Sequence, residues 1–113
     1  MNNRGEVFEQ KACEYLQNKN FKIIHRNFHS KFGEIDIIAI KGEVLHFIEV
    51  KGRIDPLYHP SYAVDRKKQN KIISTAKFFL LRNKQYNDMY QQFDVISVIL
   101  EPEEIDFIEN CFF

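Results

Sequence analysis

An α/β domain with the element order α-β-β-β-α-β-(β) is what this sequence predicts. Three observations carry the prediction. Two stretches, 4–18 and 63–82, repeat apolar residues at three- and four-residue spacing. Between them lie three runs rich in Ile, Val and Phe. A further apolar run follows the second helical stretch. With 113 residues the chain is expected to form a single domain, 1–113, with one core.

The first helix, 4–18, turns Phe8, Ala12, Tyr15 and Leu16 to one side; Asn2 or Asn3 is placed to cap it, and Asn18-Lys19-Asn20 to end it. A strand is expected over 21–28, then a turn at Ser30-Lys31-Phe32-Gly33. Residues 34–41 and 44–51 form a hairpin around Gly42. The stretch 52–62, with Pro56 and Pro60, is an irregular loop. The second helix buries Ile72, Ile73, Ala76, Phe79 and Leu80. A polar loop over 83–91 leads to a strand at 93–100 and a short last one at 105–109.

Composition excludes several classes. No apolar run is long enough for a transmembrane helix, and the N-terminus has no hydrophobic core of a signal peptide, so a cytoplasmic protein without membrane contact is expected. Cys13 and Cys111 are the only cysteines and read as free thiols. The pair His25 and His29 would suit a metal only on a helix, and that stretch is a strand. Sixteen basic and sixteen acidic residues cancel. Five of the acids lie in 101–113, which holds no Lys or Arg, so the first hundred residues carry a surplus of five positive charges. Such a body is compatible with a nucleic-acid partner.

The hairpin carries the chemistry. If Lys41 pairs with Val44, Asp36 stands opposite Glu49, with Cβ atoms about 5 Å apart. Lys51 shares the face of Glu49 because side chains alternate along a strand. Two carboxylates facing each other are unfavourable without a compensating cation. A hard divalent ion, Mg²⁺ or Mn²⁺, would take oxygens from Asp36 and Glu49 and the backbone carbonyl of Val50. Lys51 would then orient a nucleophile or balance charge growing on phosphorus. The plainer reading is that Lys51 only neutralises the two acids. Gln69, three residues before Ile72, falls on the inward side of the second helix and reaches either a scissile phosphate or a backbone partner. Glu9 flanks the apolar side of the first helix, as a supporting ligand or as a solvated acid. Arg53, Arg66, Lys67 and Lys68 form a basic rim for a phosphate backbone, unless they are a solvated surface. Tyr58 and Tyr62 are placed to stack on bases or to pack in the core.

The run GEIDIIAIKGEVLHFIEVKGR resembles the hallmark of the YraN-like proteins, a family of small bacterial proteins. So do Glu9-x-x-Ala12-x-x-Tyr15-Leu16, Arg26-Asn27, Lys68-Gln69 with Ile72 and Ala76, and Phe93-Asp94-Val95. Phe8 and Gln92 depart from that pattern, which has a small residue and an arginine at those places. The resemblance implies a restriction-endonuclease-like fold, a central mixed β-sheet flanked by helices, as in the PD-(D/E)XK nucleases. It implies Asp36, Glu49 and Lys51 as catalytic residues, with Glu9 and Gln69 in support. The expected function is metal-dependent hydrolysis of DNA, resolvase-like in its choice of structure, by a homodimer or with a protein partner. The alternative is a non-catalytic nucleic-acid-binding or adaptor module on the same fold.

Overall fold

The computed structural model describes residues 4–54 and 64–112. The expected caps at Asn2 and Asn3, the tyrosines at 58 and 62 and the prolines at 56 and 60 lie outside those residues. Helix α1 spans Arg4–Asn18, followed by strands β1 (Lys22–Ser30), β2 (Gly33–Lys41) and β3 (Val44–Arg53). Helix α2 (Arg66–Arg82), a short 3-10 turn at Lys84–Tyr86, and strands β4 (Tyr90–Leu100) and β5 (Glu103–Ile108) complete it. The expected α/β order is present, including the last strand.

Each end has a local cause. After α1, Asn20 takes φ 70°, and the N–H of Phe21 reaches back to the carbonyl of Leu16 at 2.9 Å, a left-handed helix stop. The hairpin loop is Gly42-Glu43, with Gly42 at φ 60°, a conformation that glycine adopts without strain. Helix α2 starts at Arg66 rather than 63 because Asp65 caps it, its carboxylate accepting from the N–H of Lys68 at 2.8 Å. Strand β4 starts three residues before the expected position, because the polar residues 90–92 pair with Val44–His46.

The five strands form one mixed sheet in sequence order. Pairs β1–β2, β2–β3 and β4–β5 are antiparallel, and β3–β4 is parallel, joined by the crossover through α2. The sheet is covered on both faces. Ala12, Cys13 and Leu16 of α1 pack with Ile37, Ala39, Ile48, Ile96 and Val98. Ile72, Ala76, Phe79 and Leu80 of α2 pack with Ile38, Leu45, Phe47, Phe93 and Val95 on the other face.

One irregularity places the site. Ile37 and Ala39 face α1, and Ile38 faces α2, as alternation requires; Ile35 also faces α2, so the alternation slips at Asp36. The pairing with β1 keeps its register past this point, from Arg26↔Ile37 to Phe28↔Ile35, with Asn27 between them at φ 54°; the register shift of that pair lies between Ile23 and His25. On the other side of β2, the ladder with β3 runs from Lys41↔Val44 to Ile37↔Ile48 and stops. Strand β3 continues alone beside β4 to Arg53.

Near that end Gly52 lies under the ring of Phe8. A Cβ at Gly52 would stand 2.1 Å from Cδ2 of Phe8, so the bulk at position 8 is accommodated by the absent side chain at 52. Gly52→Ala is expected to lower stability by about 1–3 kcal/mol through this overlap. Thermal melts of Gly52→Ala, Phe8→Ala and the double variant check it. The two changes should cost less together than their sum, and strict additivity would show that the contact is not the cause.

Candidate active site

Where the β2–β3 ladder stops, Asp36 and Glu49 occupy the next register position. Their carboxyl groups are hydrogen-bonded to each other. The second tie on Asp36 is to the backbone: its Oδ2 accepts from the N–H of Val50 at 2.8 Å. A side chain thus takes the bond that a continued ladder would have given to a carbonyl of β2. Glu49 is only 5% exposed, and its Oε2 lies 2.7 Å from Nζ of Lys68.

The electrostatics follow from burial. Asp36 is pushed up to about 8, first by burial, then by its hydrogen bond to Glu49 and the charge of that residue; the Val50 N–H acts against this. Asp36 thus holds its proton more tightly than an ordinary carboxyl group, the response of a buried acid to a second carboxyl group in contact with it. Lys68 is held above its ordinary value by its bond to Glu49.

These groups border a cavity of about 260 Å³, lined by Gly5, Phe8 and Glu9 of α1, Asp36, Glu49, Val50, Lys51 and Gly52 of the sheet, and Lys68 of α2. The cavity opens where β2 leaves β3, so helices from opposite faces reach it. The donor set fits a hard divalent cation: two carboxyl groups in contact can exchange the proton on Asp36 for an ion. Glu9 borders the cavity, with its Oε1 4.0 Å from Nη2 of Arg26.

Five of the expected residues, Glu9, Asp36, Glu49, Val50 and Lys51, meet in this cavity. Gln69 does not line it. Its Nε2 donates to the carbonyl of Val64 at 2.8 Å, which ties the start of α2 to the residue before its cap. Lys68, expected on the outer rim, has its ammonium on Glu49 instead. The sequence held the signal: Lys68 precedes Ile72, Thr75, Ala76 and Phe79 by four, seven, eight and eleven, and so continues the buried stripe of α2. Arg66 and Lys67 are exposed on the first turn of that helix, and Arg53 is exposed at the end of β3.

The model of the uncharacterised protein family UPF0102 matches residues 8–98. A UPF0102 protein of Campylobacter lari is 48% identical over 102 residues, covering 90% of this chain and 87% of that protein. One of Campylobacter jejuni is 46% identical over 109 residues, covering 96% and 93%. One of Petrotoga mobilis is 41% identical over 98 residues, covering 87% and 88%.

The raised Asp36 fixes the sign of a pH effect. The folded chain keeps a proton that the unfolded chain releases near the ordinary carboxyl value of 3.8, so this contribution is full below that value and is lost as pH rises through about 8. Without divalent ions, stability should therefore fall between about pH 4 and 8 by an amount that Asp36→Asn removes. Asn keeps an acceptor for Val50 and a donor for Glu49. Denaturant melts of both proteins across that range check it; parallel profiles would show that Asp36 does not hold the proton.

Proposed function

This chain belongs to the uncharacterised protein family UPF0102, the YraN-like proteins, and we propose that it is a Mg²⁺- or Mn²⁺-dependent phosphodiester hydrolase acting on DNA through a PD-(D/E)XK-type centre. One observation carries the reading: two hydrogen-bonded carboxyl groups, Asp36 and Glu49, border an open cavity together with two lysines.

In this reading Asp36, Glu49 and the Val50 carbonyl hold the ion, which when bound supplies Lewis acidity toward a phosphodiester oxygen. Lys51, on the cavity wall, orients the attacking water and balances charge as it grows on the phosphorus. Lys68 fixes the direction of the Glu49 carboxylate. Glu9 enters from the α1 side and offers an acceptor for the same water. Gln69 acts at one remove, by holding the start of α2 through Val64. The exposed Arg53, Arg66 and Lys67 meet the phosphate backbone. A domain of this size covers few nucleotides, so a branched substrate is held by two copies or with a protein partner.

One observation favours a second reading. The Lys68–Glu49 ion pair compensates Glu49 without any metal, as a non-catalytic nucleic-acid-binding or adaptor module would require.

One experiment separates these, and a second tests the DNA-binding surface that both use. Lys51→Ala should cut metal-dependent cleavage of branched or single-stranded DNA by roughly a hundredfold or more, the scale of losing one transition-state stabiliser. Its stability should change by at most about 1 kcal/mol, the upper end for a charge that is not buried. Unchanged cleavage beside a clear loss of stability would make Lys51 a structural counter-ion. DNA affinity should fall steeply from about 50 to 200 mM salt, and Arg66→Glu with Lys67→Glu should weaken binding alike for all sequences. Affinity flat in salt would show the rim to be a solvated surface.

A further inference from the structure

A second cluster of metal-ligand side chains lies near the other end of β3. His46, Asp94 and Glu109 offer donor atoms that all lie within 4.8 Å of one another. They come from β3, from β4 and from the residue after β5, and β3 and β4 are brought together only by their parallel pairing.

The imidazole is buried and held through Nδ1. His46 is 4% exposed, and its Nδ1 lies 2.7 Å from Oδ2 of Asp94, which is fully buried. The second oxygen of Asp94 accepts from Nε2 of Gln92 at 2.9 Å and from the N–H of Asn110 at 3.0 Å. A carboxylate supplied with donors in this way accepts from the imidazole as well, so Nδ1 is engaged with Asp94 and Nε2 is the nitrogen that a cation would take. The ring of Phe21 packs edge-on at 4.9 Å and that of Phe107 lies at 6.2 Å, which locks the imidazole plane. His46, Gln92 and Glu109 border a cavity of about 440 Å³ walled by Phe21 and Phe107. Gln92 also donates to Oε1 of Glu109 at 2.9 Å and so aims that carboxylate.

A histidine whose far nitrogen is held by a buried carboxylate is the usual arrangement of a metal-binding imidazole. A nitrogen donor beside a carboxylate suits Zn²⁺ better than Mg²⁺. We propose that this cluster is a second metal site, for a cation of the Zn²⁺ class, with His46 and Glu109 as its ligands and Asp94 orienting the imidazole. The cavity leaves the remaining positions to water or to an anionic ligand. Lys19 and Lys41, which border the same cavity, would attract such an anion. The site is independent of the proposed hydrolase centre, sharing none of its residues.

The test is a Zn²⁺ titration of the Asp36→Asn chain, which lacks the other carboxylate pair, followed by calorimetry and by ¹⁵N spectra of the imidazoles. One equivalent should bind and move Nε2 of His46, with His25, His29 and His59 unmoved and millimolar Mg²⁺ without effect. Adding Glu109→Gln, a change on an exposed residue that leaves the core intact, should weaken binding about tenfold or more. Shifts confined to the other histidines, or equal affinity with and without Glu109, would overturn the site.

Discussion

Asp36 and Glu49 stand side by side because the hairpin register leaves them no alternative. Lys41↔Val44 fixes the pairing at the turn, and counting outward along both strands brings the two acids to the same rung. Facing carboxylates cost free energy that a sheet does not recover from hydrogen bonding. The protein offsets that cost with a proton held by Asp36, the N–H of Val50 on Asp36 and the ammonium of Lys68 on Glu49. Each of these is a positive charge or a positive end of a dipole. The proposed divalent cation would take the place of that proton.

The rest of the fold keeps that rung accessible. Were β2 to follow β3 to its end, Asp36 would be closed in by the ladder. Instead the alternation slips at Asp36, opposite the left-handed Asn27, and β3 runs on against β4 alone. The gap admits Glu9 and Phe8 from α1 and Lys68 from α2. The ring of Phe8 can lie at its wall only because Gly52 has no side chain. At the other end of β3 the same parallel pairing with β4 that builds the sheet sets His46 beside Asp94. One strand therefore serves two clusters of different donor chemistry, one of oxygens alone and one containing nitrogen.

Much of this was legible in the sequence because it is local. The two-residue hairpin is a short-range feature, so the facing of Asp36 and Glu49 follows from counting. Helices α1 and α2 follow from apolar spacing, and the end of α1 from Asn18-Lys19-Asn20. The start of α2 was missed by three residues, because the cap formed by Asp65 competes with an apolar pattern that carries on through it. The contact of Lys68 with Glu49 was hidden for a related reason: as the last of the run Arg66-Lys67-Lys68 it looks like surface charge, and its side chain is half exposed, while its spacing from Ile72 continues the buried stripe. The amide of Gln69 bonds to the backbone, one of the two partners its inward position allowed. His46 and Asp94 lie 48 residues apart and depend on the order of β3 and β4 in the sheet, which no local pattern encodes.

The proposed hydrolase requires Asp36 and Glu49 to act as one cation site. It is tested most directly by following the side-chain carboxyl carbons of both residues by ¹³C NMR while Mg²⁺ is added to the wild-type chain. The two resonances should move together, along one saturating curve, with the distant Glu109 unmoved. Both resonances unmoved at millimolar Mg²⁺, or movement of only one of them, would contradict it.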